Sequence, residues 1–315
     1  MISQILLNIN DIDFKSLDEF AEGFEYLLNQ FTFSKNEKII NTPPDVSRIL
    51  AKLVTIGKTK IWNVYDPMCG LGSLLLSVSK EVEVANFCAQ ELNKTAYNLS
   101  RMNMIIHGIK YIDLNIKKGD SLICPEHVFA DFEAIVSIPP FFAKWSKDIR
   151  YYDDCRFSEC PALPPKTMAD VAYVQHMIWH LDENGAMAVV LSQSVLFKPF
   201  LDTIRKYWIN EKNCLDCVIA LPGNIFYETS MPTVILVFKK SRRQNQDILF
   251  IDASNEFEKI KNRKKLRSED IDKIINAYAK REEIDNYSHK APIDEIRENN
   301  FILNVSWYTK LRLKK

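Results

Sequence analysis

The chain has 315 residues, of which 47% are hydrophobic and 11% aromatic, enough to bury a sizeable core and to exclude global disorder. Its 41 Lys and Arg residues balance 41 Asp and Glu residues, which excludes a uniformly basic surface but not a local basic face. The sequence shows neither a signal peptide nor an apolar run of roughly 18 residues, so we expect a cytoplasmic protein without a membrane anchor. Seven cysteines, an odd number, are typical of reduced thiols.

The first part of the chain predicts helices. Residues 1–40 indicate two short amphipathic helices, because apolar residues recur at helical spacing. These residues are Leu17, Phe20, Ala21, Phe24, Leu27 and Leu28. A further helix is expected from about Pro44 to Val54, with Thr42 as its N-cap and Pro43 or Pro44 in its first turn.

From about residue 61 to residue 240, short β-branched runs alternate with longer helical patterns. The runs are KIWNVYD, EVANFCAQ, LNIKKGD, FEAIVSI, AMAVVLS, LDCVIALP and TVILVFKK. Such alternation is typical of a mainly parallel sheet with helices on both faces. The predicted fold class is therefore α/β.

The charge balance changes in the last part of the chain. Residues 239–315 hold 19 Lys and Arg residues against 13 Asp and Glu residues. The stretch SEDIDKIINAYAKREEI predicts a helix, for which Ser268 and Asp270 offer an N-cap. We divide the chain into a helical segment (1–40), a central domain (41–240) and a C-terminal strand with a helical tail (241–315) that contacts the core or a partner.

Two of the eight glycines, Gly70 and Gly72, lie in one three-residue window. The strand KIWNVYD ends in Asp66, the loop PMCGLGS follows, and helical text begins after it. A strand, a Gly-x-Gly turn and a helix together form a nucleotide-sized site. A dinucleotide fold requires a third glycine where this chain has Leu75, which disfavours NAD. Asp66 instead suits a ligand that carries an amino acid cation, such as the methionine part of S-adenosylmethionine.

Two further strand ends carry acidic residues. Glu91 lies about 20 residues beyond the glycine loop, where an acid meets ribose hydroxyls in nucleotide sites. Asp120 and Ser121 follow the third strand, where a carboxylate can accept a hydrogen bond from an adenine amine. Each pattern is weak by itself, but their order and spacing together predict one cofactor site.

At this point the sequence resembles a known family. The stretches DPMCGLGSLLL, ELNKTAYNLSRMNMIIHGI and GDSL are similar to S-adenosylmethionine-dependent DNA adenine methyltransferases, and most specifically to the modification subunit of type I restriction–modification systems. The stretches ADVAYVQHMIWHLDENGAMAVVLSQSVLF, LDCVIALPGNIFYETSMPTVILVFKK, ILFIDAS and YSHKAPIDEIRENNFILNVSWY agree, so the resemblance covers about residues 38–310.

The resemblance implies a Rossmann-like sheet with an antiparallel strand near TVILVFKK and helical additions at both ends. It implies transfer of a methyl group from S-adenosylmethionine to adenine N6 in DNA, within a complex whose specificity subunit reads the DNA sequence. It leaves open a nuclease subunit as a further partner. About 60 residues precede the glycine loop, so the resemblance also implies a shortened N-terminal region.

The resemblance assigns roles to thirteen residues. The cofactor-binding residues are Thr42, Pro43, Asp66, Met68, Gly70, Gly72, Glu91, Asp120 and Ser121. Glu91 would hold the ribose and Asp120 the adenine of the cofactor. The catalytic element of the family, Asn/Asp-Pro-Pro-Phe/Tyr, falls on Ile138, Pro139, Pro140 and Phe141.

Position 138 departs from the family. An Asn or Asp oxygen there, with the next proline carbonyl, accepts the two N–H bonds of the flipped adenine's amine. Ile138 offers no acceptor, and Ser137 is expected to point to the opposite face of its strand. Losing such a bond costs roughly 2.7–4 kcal/mol, a factor of about 10² to 10³ in rate. Two other functions therefore stay open: a catalytically silent scaffold or cofactor-binding regulator, and methylation of protein or RNA.

Several other residues allow two interpretations each. Cys214 and Cys217 suit a redox or zinc site, but without a second Cys-x-x-Cys they favour ordinary core positions, and we expect no metal site. His107 and His176 are expected to pack or to cap helices. Trp145 stacks on nucleic acid or anchors its loop. The basic run 261–267 contacts phosphates or is a solvated loop.

Overall fold

The computed structural model describes residues 16–34, 42–146, 149–226, 229–242, 247–261 and 263–310. Within these ranges nine strands form one sheet and two short strands form a separate hairpin. The sheet strands are β1 Lys60–Asp66, β2 Glu83–Glu91, β3 Leu114–Lys118, β4 Phe132–Ser137, β5 Leu181–Ser192, β6 Leu215–Ala220, β7 Thr233–Lys239, β8 Asp247–Asp252 and β11 Ser288–Pro292. The hairpin pairs β9 Glu258–Ile260 with β10 Arg263–Lys265.

Helices flank this sheet on both sides. They are α1 Leu17–Ser34, α2 Pro44–Thr55, α3 Ser73–Ser79, α4 Lys94–Ile106, α5 Ala169–His180, α6 Asp202–Lys206, α7 Ser268–Lys280, α8 Ile293–Glu298 and α9 Val305–Thr309. Short 3₁₀ turns cover Tyr111–Asp113, Ile149–Tyr152, Gln193–Leu196 and Pro199–Leu201, and a π turn, Tyr207–Glu211, continues α6. No described helix combines the length and apolar character needed to cross a bilayer.

The strand order is β11-β8-β6-β7-β5-β4-β1-β2-β3. β1 to β5 run parallel to one another, and β7 is antiparallel to both of its neighbours, β5 and β6. The α/β prediction is therefore confirmed, including the antiparallel strand at TVILVFKK. Because the carboxyl ends of β1 to β5 meet at one edge of the sheet, loops distant in sequence lie side by side there.

Side chains of the central strands alternate between two apolar layers. In β4, Ala134 and Val136 face the layer that packs on α2, α3 and α7, whereas Ile135 faces the layer that packs on α5, α6 and α9. Both faces are buried, as in parallel sheets generally, so these strands read as continuous apolar runs.

The C-terminal segment adds strands to the same sheet. β8 pairs parallel with β6, and β11 pairs antiparallel with β8. The sequence predicted one strand and a helical tail here, whereas the structure has two sheet strands, the hairpin β9–β10 and three helices. The domain boundary at residue 240 stays a prediction, although main-chain hydrogen bonds join both sides of it.

Helix starts differ from the prediction in two places. α2 begins at Pro44 with Pro43 as N-cap and without a side-chain cap, so Thr42 as N-cap is wrong. In α7 the N-cap is Arg267, so the prediction of Ser268 or Asp270 as N-cap is wrong. Asp270 is the third residue of the helix, and its carboxylate accepts from the Arg267 backbone N–H at 2.8 Å.

Among the described residues of the N-terminal segment the structure has one helix, α1, and the second helix expected within residues 1–40 stays a prediction. In α1, residues Phe24 and Leu28 pack on Leu71 and Leu99. The rest of the predicted 1–40 segment, residues 1–15 and 35–40, lies outside the described residues.

Candidate cofactor and catalytic site

A cavity of about 390 Å³ lies at the carboxyl edge of the sheet, where β1 to β4 end. Nine of the thirteen predicted site residues line it: Thr42, Asp66, Met68, Gly70, Glu91, Asp120, Ser121, Ile138 and Pro140. The other four do not line it: Pro43 and Gly72 are the N-caps of α2 and α3, Pro139 is buried, and Phe141 packs outside the cavity.

Asp66, the last residue of β1, is a buried carboxyl group on the cavity wall. Its Oδ1 atom accepts hydrogen bonds from the Met68 backbone N–H at 3.0 Å and from the Ser137 hydroxyl at 2.8 Å. Burial raises the pKa of Asp66 to about 7, and the negative charge of Glu91 adds to the rise. A cation in the cavity would favour the ionised carboxylate and lower this pKa.

The glycine loop is held by the second strand. The Gly70 backbone N–H donates to Glu91 Oε2 at 2.9 Å, and Glu91 Oε1 accepts from the Asn93 backbone N–H at 2.7 Å. Gly70 and Gly72 have φ values of 53° and 82°, a region that side chains rarely adopt. Burial raises the pKa of Glu91. Glu91 thus fixes the loop and still presents its carboxylate to the cavity.

The third loop is tied to the first. The Ser121 hydroxyl, which is fully buried, donates to the Pro67 carbonyl at 2.5 Å. Asp120 Oδ1 accepts from the Leu122 backbone N–H at 2.9 Å, so this carboxylate is held in a tight turn. Ser121 therefore fixes the distance between the loops that carry Asp66 and Asp120.

Arg156 holds this third loop from behind, and the sequence reasoning missed it. Its Nη1 and Nη2 atoms donate to the carbonyls of Ser121 and Leu122, each at 2.8 Å. Asp154 pairs with the same guanidinium at 2.6 Å, and His176 accepts from Nη1 at 3.0 Å. Arg156 is 8% exposed and nearly all its donors are used. The spacing Asp154-x-Arg156 indicates a local ion pair at most, and it does not predict the contact with the third loop.

Tyr173 is a second residue that the prediction missed. It projects from α5 into the cavity and is 9% exposed. Burial, together with the negative charge of Asp120, raises the pKa of Tyr173, so its hydroxyl stays protonated. Tyr173 lies three residues before His176, and this spacing places the two polar side chains on the same face of the predicted helix. That was the one sequence feature that could have drawn attention to Tyr173.

The predicted catalytic element follows β4. Ile138 is 6% exposed, lines the cavity and belongs to an apolar cluster. The Ser137 hydroxyl donates its hydrogen bond to Asp66, in line with the expectation that this side chain points away from position 138. Phe141 is half-buried and packs edge-to-face on Phe226, with ring centroids 5.6 Å apart.

Trp145 is a loop anchor, which decides between its two interpretations. Its indole is 8% exposed and stacks on Phe157 at a centroid distance of 5.7 Å. The indole N–H donates to the Pro165 carbonyl at 2.9 Å. A ring buried in this way has no face to offer to a nucleic acid.

The histidines and the cysteine pair are structural. His176 is buried and lies 3.0 Å from the Tyr65 hydroxyl, while His107 is the C-cap of α4 and contacts the Asn103 carbonyl at 2.9 Å. Cys214 and Cys217 are buried free thiols whose pKa values burial raises. The interpretation of these residues as packing, capping and core positions is confirmed.

The sheet order and the cavity at the ends of β1 to β4 define the class: this is the fold of class I S-adenosylmethionine-dependent methyltransferases. A profile described as N-6 DNA Methylase matches residues 15–314, and the chain belongs to that family. The resemblance inferred from the sequence is thereby confirmed.

Curated relatives agree. The methylase subunit of the type I restriction enzyme MpnII from Mycoplasma pneumoniae is 35% identical over 98% of this chain and 60% of its own length. That of MjaVII from Methanocaldococcus jannaschii is 29% identical over 98% and 56%. The crystal structure of a type I methyltransferase subunit from Streptococcus thermophilus superposes with a TM-score of 0.90 at 38% identity, over 95% of this chain and 65% of that one. The chain thus spans less than two thirds of each relative.

The family implies S-adenosylmethionine as the methyl donor, and the cavity fits this molecule. Its volume falls within the range of small-molecule sites. Three carboxyl groups line it, Asp66, Glu91 and Asp120, and none of the described lining residues is Lys, Arg or His. A cavity of this charge favours a ligand with sulfonium and amino cations over a pyrophosphate-bearing dinucleotide, in line with the sequence argument against NAD.

Proposed function

We propose that the cavity binds S-adenosylmethionine, with Asp66 at the amino group, Glu91 at the ribose and Asp120 at the adenine amine. The remaining wall residues in this proposal are Thr42, Pro43, Met68, Gly70, Gly72 and Ser121. The acidic lining without a basic residue is the observation that carries the proposal. When bound, this donor supplies an electrophilic methyl group.

The acceptor in this proposal is adenine N6 in DNA. Pro139 accepts one amine N–H through its carbonyl, Phe141 stacks on the flipped base, and Pro140 shapes the cavity wall between them. Ile138 accepts nothing, because its side chain is a branched alkyl group. We therefore expect transfer slower by about 10² to 10³ than with an acceptor at this position.

The relatives indicate the complex in which this activity would take place. They are methylase subunits of type I restriction enzymes. We infer that the chain works in the cytoplasm beside a specificity subunit that reads the DNA sequence, with a nuclease subunit as a further partner.

One observation favours a second candidate, a cofactor-binding regulator without turnover. Ile138 is packed into the apolar cluster that contains Val136 and Leu74, so position 138 is built as a core position. In that case the protein would bind the cofactor and respond to its concentration without transferring the methyl group.

The first experiment measures S-adenosylmethionine binding by calorimetry for the wild type and Asp66→Ala. Binding by the wild type and its loss in Asp66→Ala are expected. An absence of binding to the wild type would contradict both candidates.

The second experiment separates the two candidates with radiolabelled methyl donor and DNA, RNA and total protein as acceptors. Ile138→Asn restores an acceptor, and Ile138→Leu is the matched apolar control. Slow DNA labelling that rises about 10²-fold in Ile138→Asn alone supports the methyltransferase. No labelling by the wild type, with cofactor binding intact, supports the regulator.

A further inference from the structure

A small exposed patch, formed by Phe142, Lys198 and Phe200, lies beside the catalytic element. Phe142 directly follows Phe141, and Lys198 and Phe200 belong to the segment after β5. Because β4 and β5 are parallel neighbours, both segments lie at the carboxyl edge of the sheet, on the side of β4 away from β2 and β3. The patch therefore lies on the β5 side of the predicted catalytic element, at the same edge of the sheet as the cavity.

The patch combines exposed aromatic rings with a positive charge. Phe142 is 43% exposed and Phe200 is 56% exposed. Lys198 Nζ lies 5.5 Å from the centroid of each ring and so joins the two. Among the described residues no carboxylate forms an ion pair with Lys198. The buried carboxyl group of Asp170 interacts with the charge of Lys198 but does not pair with it, so the ammonium group keeps its hydrogen-bond donors for an anionic ligand.

Phe142 occupies a strained backbone position. Its φ is 56°, in the left-handed region that aromatic residues rarely adopt. The ring gains little burial in return, because nearly half of it faces solvent. Strain without a packing benefit is a feature of functional positions.

Hydrogen bonds from buried groups hold the backbone under the patch. Arg205, 1% exposed, donates to the carbonyls of Lys198 at 2.9 Å and Phe301 at 2.7 Å. On the other side the Ala169 backbone N–H donates to the Ala143 carbonyl at 3.0 Å. These hydrogen bonds fix the backbone of the two segments that carry the patch.

We propose that this patch holds the target DNA strand next to the flipped adenine, with Phe142 and Phe200 stacking on neighbouring bases and Lys198 pairing with a phosphate. Aromatic rings with a nearby cation are the standard means of binding unstacked nucleotides. Flipping one base exposes the faces of its neighbours, which gives these rings their partners. The inference rests on the proposed DNA methyltransferase function and deepens it.

The test uses the full chain with a single-stranded oligonucleotide containing adenine, its affinity measured by fluorescence anisotropy in the presence of S-adenosylmethionine. Phe142→Ala and Phe200→Ala are each expected to weaken binding between about 5-fold and 150-fold. Lys198→Met is expected to lower the slope of log affinity against log salt by about 0.7, the value for one phosphate on single-stranded DNA.

Matched controls lie at the opposite edge of the sheet. Phe129, fully exposed, precedes β4, and Lys110, exposed, precedes β3. Phe129→Ala and Lys110→Met should leave affinity and salt slope unchanged.

A variant with opposite effects on stability and binding separates this role from a structural one. Asn tolerates the left-handed region, so Phe142→Asn is expected to raise the melting temperature while weakening DNA binding. Patch variants that bind DNA as the wild type does would overturn the inference, as would a wild type that binds S-adenosylmethionine but no DNA. Cofactor binding is measured by calorimetry on the wild type and on every variant. If the wild type does not bind S-adenosylmethionine, the proposed function fails; if it binds the cofactor, the DNA-binding results test the patch alone.

Discussion

Asp66 places a buried carboxyl group on the cavity wall at a cost to the stability of the fold. The folded protein raises the pKa of this carboxyl from 3.8 to about 7, chiefly through burial. Because the raised value belongs to the folded state, ionisation of Asp66 increasingly disfavours folding as the pH rises from about 4 to 7 and stays unfavourable above it. The upper limit of this cost is about 4 kcal/mol.

Asp66→Asn is therefore expected to raise the melting temperature of the ligand-free protein at pH 8 and to abolish cofactor binding. The amide oxygen can still accept from Met68 and Ser137, so these two hydrogen bonds are kept while the charge is removed. Differential scanning calorimetry measures the first effect, and at pH 4 the gain in melting temperature should largely vanish. A variant that loses stability at pH 8 would contradict this account.

The same carboxyl predicts the pH dependence of cofactor binding. A cationic ligand selects the ionised form, so affinity for S-adenosylmethionine should fall as the pH drops below about 7, by up to tenfold per pH unit. Titration calorimetry between pH 5.5 and 7 checks this, and binding should release protons from the protein as it proceeds. A flat profile across this window would show that Asp66 does not meet the cation.

Arg156 links the cofactor cavity to the structure behind it. Arg156→Met removes the donors to Ser121 and Leu122 and leaves the Asp154 charge without its partner, a loss of about 3–5 kcal/mol in folding free energy. We expect weaker cofactor binding as well, because the loop that carries Asp120 is released. Arg156→Lys should recover stability in part but not affinity, since an ammonium group lacks the planar fork. Arg297→Met, at an exposed pair in α8, is the control.

At the scale of elements, the turn between β1 and α3 depends on two glycines with positive φ. Gly72→Ala should cost about 1–2 kcal/mol, because an L residue is disfavoured at a φ of 82°. Gly57 is a matched control, since it has a φ of 73° and a Cβ added there would meet no atom within 4 Å. Both variants should lose similar stability in chemical denaturation, but only Gly72→Ala should weaken cofactor binding. Equal cofactor affinity in the two variants would show that the turn is purely structural.

Helix α5 shows which features depend on the local sequence and which depend on contacts between distant segments. The pattern of α5 predicted a helix, but not that Tyr173 would face the cofactor cavity while His176, one turn further, supports Arg156. Those roles depend on where α5 crosses the sheet. A single sequence does not specify that crossing, because it is set by packing between segments far apart in the chain.

For the whole molecule, the C-terminal segment is joined to the sheet by a buried ionic network. Asp216 in β6 pairs with Arg242 at 3.0 Å and Arg281 at 2.9 Å, and it accepts from the Tyr278 hydroxyl at 2.7 Å. These contacts connect α7, the residue after it and the segment after β7 to strand β6 of the sheet. The tail is therefore expected to unfold together with the core.

Asp216→Ala should cost about 3–5 kcal/mol, because it leaves two arginines without their buried partner. Thermal unfolding of the wild type should give one transition that coincides for tryptophan fluorescence and circular dichroism. Asp294→Ala, at an exposed ion pair, should change the melting temperature little. Two separate transitions in the wild type would show that the tail is an independent unit.

The sequence alone determined the strands β1 to β7, the glycine loop and the acidic residues that follow the next two strands, because periodicity and turn chemistry are local properties of the chain. Family resemblance then predicted the catalytic element at residues 138–141, with Ile138 in place of the family's Asn or Asp. The tertiary structure decided the rest: the joining of β8 and β11 to the sheet, the burial of Trp145, the loop held by Arg156, and the strained, exposed Phe142 beside Lys198. Each of these depends on contacts between residues distant in sequence, which arise only when the sheet order brings their segments together.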